Sequence, residues 1–305
     1  MKIIFFAHHK APRIGGVEKH IASLISNLKS TNKQSLTSLK QSLTSLKQSL
    51  TSLKQSLTTL KQSLPLRGKN LEIKTISEED INPPRIKYFG LMYIWYWLFK
   101  NRKLITDSDI IHIHDVFIWY LPFRFLYPRK KLYITFHGWE GKWPIQKWAI
   151  LNKRLANYLC NGSIAVGKYV EKYYGIKSDY VIYGAAQSLA ISRLSLAKTK
   201  NTIVWLGRKD NDTGYFEFQE WLLKNPKFKV TYITNIKRPE KYLETAEYCV
   251  PSGYLSYLEA KSYGCKIITF ANNPLKEDYW KEIKLLKSIP TWDEVANVYL
   301  KLWNK

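Results

Sequence analysis

Cysteine is scarce in this 305-residue chain, where Cys160, Cys249 and Cys265 are the only three. They are widely spaced and odd in number, which excludes a disulfide framework and a paired-cysteine metal site and fits a reducing, cytoplasmic compartment. No apolar run reaches the length needed to cross a bilayer. The first one, KIIFFA at residues 2–7, meets His8, His9 and Lys10 too early to serve as a signal peptide and is read as a strand. Acidic residues are also few, with 24 Asp plus Glu against 48 Lys plus Arg and a formal charge of +24. No fold demands that excess, so it favours anionic partners: sugar nucleotides, acidic lipid or nucleic acid. Zinc-finger spacing, an aromatic RNP-type strand and a basic zipper region are all missing, which leaves nucleic acid the weakest of the three.

Apolar and aromatic surface is plentiful: 45% of the chain is hydrophobic and 21 Tyr and 11 Trp are present, enough for globular domains along most of its length. Short apolar runs ending in polar residues alternate with stretches of helical periodicity, and the length suits two domains. Strands are predicted at 2–7, 71–76, 110–114, 132–136, 163–166 and 180–183. After a loose stretch at 187–201 a second series follows at 202–206, 229–233, 248–250 and 266–270. Helices are predicted after Gly15-Gly16, where Val17, Ile21, Leu24 and Leu28 share a face, and at 215–223, 255–263 and 292–303. The pattern predicts an α/β protein with two Rossmann-like parallel sheets facing a central cleft. Residues 1–186 form the first domain, 187–290 the second, and a terminal helix at 291–305 packs back on the first. Ligands of such sheets sit beyond the carboxyl ends of the strands.

Two stretches stand apart. Between residues 29 and 64 the unit LKQSLTS recurs, and its leucines from Leu36 to Leu64 alternate spacings of three and four, a heptad a/d seam. A tolerated insertion is one reading; a self-associating coiled coil, a rod of about 50 Å if helical throughout, is the other. The second stretch, Arg85 to Lys103, is rich in Trp and Tyr and bounded by basic residues, and Phe117 to Lys131 repeats that chemistry. It reads either as buried core or as a peripheral element on an anionic membrane surface.

Several turns carry candidate chemistry. Gly15-Gly16 lies where a strand feeds a helix, so backbone N–H groups can approach an anion. His112, His114 and Asp115 end a strand; the two imidazoles share a face, a spacing that strand alternation explains without a metal. In Thr135-Phe136-His137-Gly138-Trp139-Glu140, His137 can exchange a hydrogen bond with a sugar hydroxyl or reacting oxygen. Arg208 and Lys209 follow another strand, and an arginine there can clamp a diphosphate. Gly253 and Tyr254 open a helix that carries Glu259, a carboxylate placed to accept ribose hydroxyls.

Taken in order, the 15–20 turn, the 111–115 strand end, the 135–138 loop, Leu206-Gly207-Arg208 and the segment from Leu258-Glu259-Ala260 to Ile268 resemble the retaining GT-B glycosyltransferases of family 4. The resemblance covers most of the chain outside the heptads. It implies transfer of a sugar from a UDP- or GDP-sugar to a membrane-proximal, lipid-linked or protein acceptor, with retained configuration and no metal or other cofactor. His137 and Arg208 would be catalytic. Gly15, Gly16, Gly138, Arg208, Lys209, Gly253, Tyr254 and Glu259 would hold the donor, and Asp115 and Glu140 would face the acceptor. Pro251 stands where the family carries a second acidic residue, and Thr213 where it carries a lysine. A sugar-nucleotide epimerase on the same plan, and an inactive relative that binds nucleic acid or anionic membrane, are the alternatives.

Overall fold

A computed structural model describes residues 1–10, 16–49, 71–84, 89–138, 143–186, 198–234 and 239–304. Strand β1 (Lys2–Phe6) has every residue after its first buried, an unbroken apolar run that suits a strand covered on both faces. There follow α1 (Gly16–Ser49), β2 (Glu72–Ile76), α2 (Glu78–Ile81), α3 (Phe89–Lys100), α4 (Lys103–Thr106) and β3 (Ile110–His114). Next come α5 (Phe117–Leu126), β4 (Lys131–Phe136), α6 (Lys147–Leu159), β5 (Gly162–Ala165), α7 (Lys168–Tyr174) and β6 (Tyr180–Val181). The six strands are all parallel, in the order β2-β1-β3-β4-β5-β6.

The second half runs β7 (Thr199–Leu206), α8 (Tyr215–Leu223), β8 (Lys229–Ile233), α9 (Glu240–Thr245) and β9 (Ala246–Pro251). It continues through α10 (Tyr254–Ser262), β10 (Lys266–Ile267), α11 (Pro274–Lys284) and α12 (Trp292–Trp303). Its four strands are parallel in the order β10-β9-β7-β8. In each sheet the chain leaves its first strand to one side and returns on the other. The switch points therefore lie between β1 and β3 and between β7 and β9, and crevices at the carboxyl ends of those pairs are where such sheets take ligands.

Local chemistry explains most boundaries. Thr291 and Glu294 form a reciprocal capping box that starts α12. Asn273 accepts from the Lys276 backbone N–H, and Pro274 occupies the first turn of α11, where its missing N–H costs nothing. Two expected strands are shorter than the sequence suggests: 180–183 is a strand only at 180–181, and 266–270 only at 266–267. The heptad stretch enters α1 and is helical as far as Ser49; residues 50–64, and the heptad leucine side chains, lie outside the described residues.

The core of the first half does not stop at residue 186. One buried cluster joins Phe5, Ile113 and Ile134 to Leu258 of α10, Ile283 of α11 and Tyr299 of α12. Two smaller clusters cover the faces of the second sheet, one around Val204, Leu243 and Cys249 and the other around Trp205, Phe218 and Val250. Helix α12 lies against α1, and its Trp303 indole N–H donates 2.9 Å to His112 Nδ1.

Candidate functional site

The carboxyl edge of the first sheet ends in histidines. His112 and His114 from β3, His137 after β4 and His20 from α1 are all buried, and burial drives each imidazole below its usual pKa, His137 to about 3, with the Lys153 ammonium adding to the effect. All four are neutral near pH 7. Their hydrogen bonds then fall into one directed run, assigned by using each proton once. The Trp303 indole can only donate, so His112 accepts at Nδ1 and donates from Nε2 to Thr135 Oγ1 at 2.8 Å. Thr135 donates to Tyr299 Oη at 2.9 Å, and Tyr299 donates to His20 Nε2 at 3.2 Å. His20 Nδ1 donates to Tyr254 Oη at 3.2 Å, Tyr254 donates to His137 Nδ1 at 3.4 Å, and His137 Nε2 donates to His114 Nδ1 at 2.8 Å. The run ends at His114 Nε2, a buried N–H with no partner among the described residues.

Asp115 closes this edge. It sits in the left-handed region at φ 61°, accepts from the His137 backbone N–H at 3.0 Å and pairs with the buried Lys153 ammonium at 2.7 Å. Its carboxylate thus holds the 137 loop in place. Gly138, at φ 120°, is needed because a Cβ there would come within 2.3 Å of the Tyr169 hydroxyl.

The carboxyl edge of the second sheet is cationic. After β7, Gly207 adopts φ 133°, and a Cβ on it would lie 1.7 Å from Ser252 Oγ, so the loops after β7 and β9 meet at van der Waals distance over the switch point. Arg208 stands largely exposed beside this contact and pairs with Asp210 and Asp212, each at 2.9 Å. Below it Lys276, in the first turn of α11, is buried with Nζ 3.4 Å from the Ser252 carbonyl and over the rings of Tyr279 and Trp280. Burial lowers its pKa to about 8, partly offset by the Asp212 carboxylate and reinforced by the Arg208 guanidinium. A fixed ammonium, a mobile guanidinium and the amino ends of α10 and α11 make this crevice suited to a diphosphate.

The structure brings some predicted residues together and separates others. Ser252, Gly253 and Tyr254 link the two edges: Ser252 touches Lys276, and Tyr254 two residues later touches His137. Arg208 and His137 therefore flank the start of α10. Glu259, further along that helix and buried, pairs with Lys19 of α1. Lys209 turns to the Tyr232 ring, its ammonium 4.0 Å from the centroid. Gly16 opens α1 in space that would leave a Cβ with nothing within 4 Å, while Gly15 and Glu140 lie outside the described residues. Sequence reasoning missed Lys276 and His20; the Asn273-Pro274 helix start could have flagged the former, but nothing local marks the latter.

A separate open groove of about 1100 Å³ lies at the amino ends of the first-sheet strands, between Met1, Ser108, Lys131 and Trp303. It is on the opposite edge from Asp115, His137, Arg208 and Lys276, and only Trp303 belongs both to it and to the histidine run. Among the described residues no group of His, Cys, Asp and Glu is arranged to hold a metal ion, and no helix is long and apolar enough to cross a membrane.

No protein-family model and no curated protein matches this chain. Among solved structures, a glycosyltransferase from Rickettsia africae ESF-5 superposes over 99% of this chain and 88% of its own, with TM-score 0.51 and 11% identity. The UDP-GlcNAc 2-epimerase from Neisseria meningitidis bound to UDP-GlcNAc covers 100% and 93% at TM-score 0.46 and 13% identity, and the S. aureus MnaA–UDP structure covers 99% and 89% at 0.46 and 11%. The first of these likenesses carries the fold: two parallel α/β sheets on the GT-B plan, at an identity that leaves the activity open.

Proposed function

We propose that the chain binds a nucleotide-sugar with its diphosphate against Arg208, Lys276 and the amino ends of α10 and α11, and acts at the bond between sugar and diphosphate. The carrying observation is the buried Lys276 ammonium at the β7–β9 switch point. An ammonium withdrawn from water is costly unless an anion repays it. Arg208 would exchange its two aspartates for phosphate oxygens and neutralise the departing diphosphate. Glu259, held by Lys19, lies further along α10, where a ribose would extend.

Two reactions use such a donor site. Transfer to an acceptor needs room on the first-domain side of His137, and in this structure that side is filled by His20, Tyr254 and Tyr299 in mutual contact. Epimerisation of the donor's own sugar needs no acceptor and fits the packed seam at least as well. A thermal-shift screen of UDP-, GDP- and ADP-sugars identifies the donor as the one that raises the unfolding midpoint. Product analysis without acceptor then separates the reactions: an epimeric nucleotide-sugar supports the second, and sugar transfer only on adding an acceptor supports the first. Absence of a shift with every nucleotide-sugar, or an unchanged shift in a folded Arg208→Ala/Lys276→Met variant, would sink the donor site itself.

A further inference from the structure

Helices α3, α5 and α6 pack side by side in that order on one face of the first sheet, and the Trp95 indole ties α3 to α5 by donating 3.0 Å to the Ile118 carbonyl. Helix α3 turns Ile94 and Leu98 inward. Its outward stripe is equally apolar: Phe89, Met92, Tyr96 and Phe99, spaced by three and four, are all exposed. The same surface continues through Phe125 and Leu126 at the end of α5 and through Trp148, Leu151 and Tyr158 on α6. A soluble monomer rarely leaves so many large side chains contiguous and uncovered.

Charge on the three helices themselves has a single sign. None of the three helices contains Asp or Glu, while they carry Lys100, Arg124, Lys147 and Arg154 besides the buried, Asp115-paired Lys153. Exposed Arg102 and Lys103 follow α3 directly, and exposed Arg129 and Lys131 follow α5 beside the groove that also holds Asp109. A second copy of this chain would bring the same acid-free helices against it, and like charges would oppose the pairing. A twelve-residue helix such as α3 extends about 18 Å, too short to cross a bilayer but suited to lie in its plane. Aromatic rings with basic flanks are the composition of an interfacial element.

We infer that this face docks the protein on an anionic lipid bilayer, with the α3 stripe entering the headgroup layer and the flanking lysines and arginines against lipid phosphates. The inference is independent of the proposed donor site. Flotation of the full chain with phosphatidylcholine vesicles, with and without phosphatidylglycerol, tests it. Expected is recovery with the anionic vesicles only, weakened by salt, and a loss of roughly tenfold or more in Lys100→Glu/Lys103→Glu and in Tyr96→Ser/Phe99→Ser. Both variants change exposed residues, and an unaltered melting profile checks that they fold. Equal recovery with neutral vesicles, no recovery at all, or recovery indifferent to both variants overturns the inference. So does a concentration-dependent dimer abolished by Tyr96→Ser/Phe99→Ser, which would assign the stripe to self-association.

Discussion

The two sheets end in opposite ways at their carboxyl edges. The first finishes in four neutral imidazoles joined through Thr135, Tyr254 and Tyr299 into one run that leaves only His114 Nε2 without a partner among the described residues, with the nearby ammonium of Lys153 already neutralised by Asp115. The second finishes in Arg208 and Lys276, of which, among the described residues, only the exposed guanidinium has carboxylate partners at ion-pair distance. Two edges with the same backbone topology therefore serve different ends. Where polar side chains use up nearly all of each other's donors and acceptors the result is a cohesive seam, and where a buried cation has a carbonyl and two aromatic rings but no carboxylate at ion-pair distance among the described residues the result is a place for an anion.

Acid should break that contrast most. The four buried histidines have folded-state pKa values below the unfolded value of 6.5, so the unfolded chain takes up protons first as pH falls. Their contribution is complete above about pH 6.5 and is lost progressively as pH falls, for His137 down to about pH 3, at up to about 1.4 kcal/mol per pH unit for each histidine. Urea denaturation from pH 7 to pH 4 should show this fall, and a flat profile would mean the imidazoles are solvated.

Lys276→Met tests the other edge. Its stability should stay equal or rise, because a buried ammonium is exchanged for an apolar chain of similar length. Affinity for a nucleoside diphosphate should drop by about 10- to 100-fold, the value of a hydrogen bond to a charged group, as calorimetry can measure. Wild-type affinity should also decline above pH 8, where the depressed pKa lets the ammonium lose its proton. The smallest of these effects is expected from Tyr254→Phe, which strands His137 Nδ1 and His20 Nδ1 in the seam and should cost about 1–2 kcal/mol in denaturant while leaving diphosphate affinity unchanged. Equal losses of binding in both variants would erase the distinction between the edges.

The secondary structure of the sheets is largely readable in the sequence, because a strand buried on both faces writes itself as an apolar run. The predicted segments 110–114 and 229–233 and the helices 215–223 and 292–303 coincide with the observed ones. The predicted strands at 180–183 and 266–270 overrun the observed ones, since Ile182 and Ile268 continue the apolar pattern after the ladder has ended. Helix α11 escapes the periodicity reading, although Asn273-Pro274 announces it. The site is legible residue by residue, in the loop positions His137 and Arg208, the strand end at His112 and His114 and Glu259 of α10, but not as an assembly. His20, His112, His114 and His137 become one cluster through the β1-β3-β4 order and the return of α1, a relation with no trace in local spacing. Burial of Lys276 likewise depends on Tyr279 and Trp280 one turn further along its helix, which the sequence shows as ordinary amphipathic positions.

The chain of hydrogen bonds from Trp303 to His114 points like an arrow. An indole at its tail forbids reversal, so the Tyr254 hydroxyl proton is already committed to His137 and cannot be offered to a visiting phosphate without leaving an imidazole nitrogen bare. The one hydrogen the run leaves over, on His114 Nε2, is buried behind it, so an anion entering between the lobes is offered a proton by Lys276 and not by Tyr254 or His137. Selectivity for where the charge comes to rest is thus fixed by a tryptophan that never touches it.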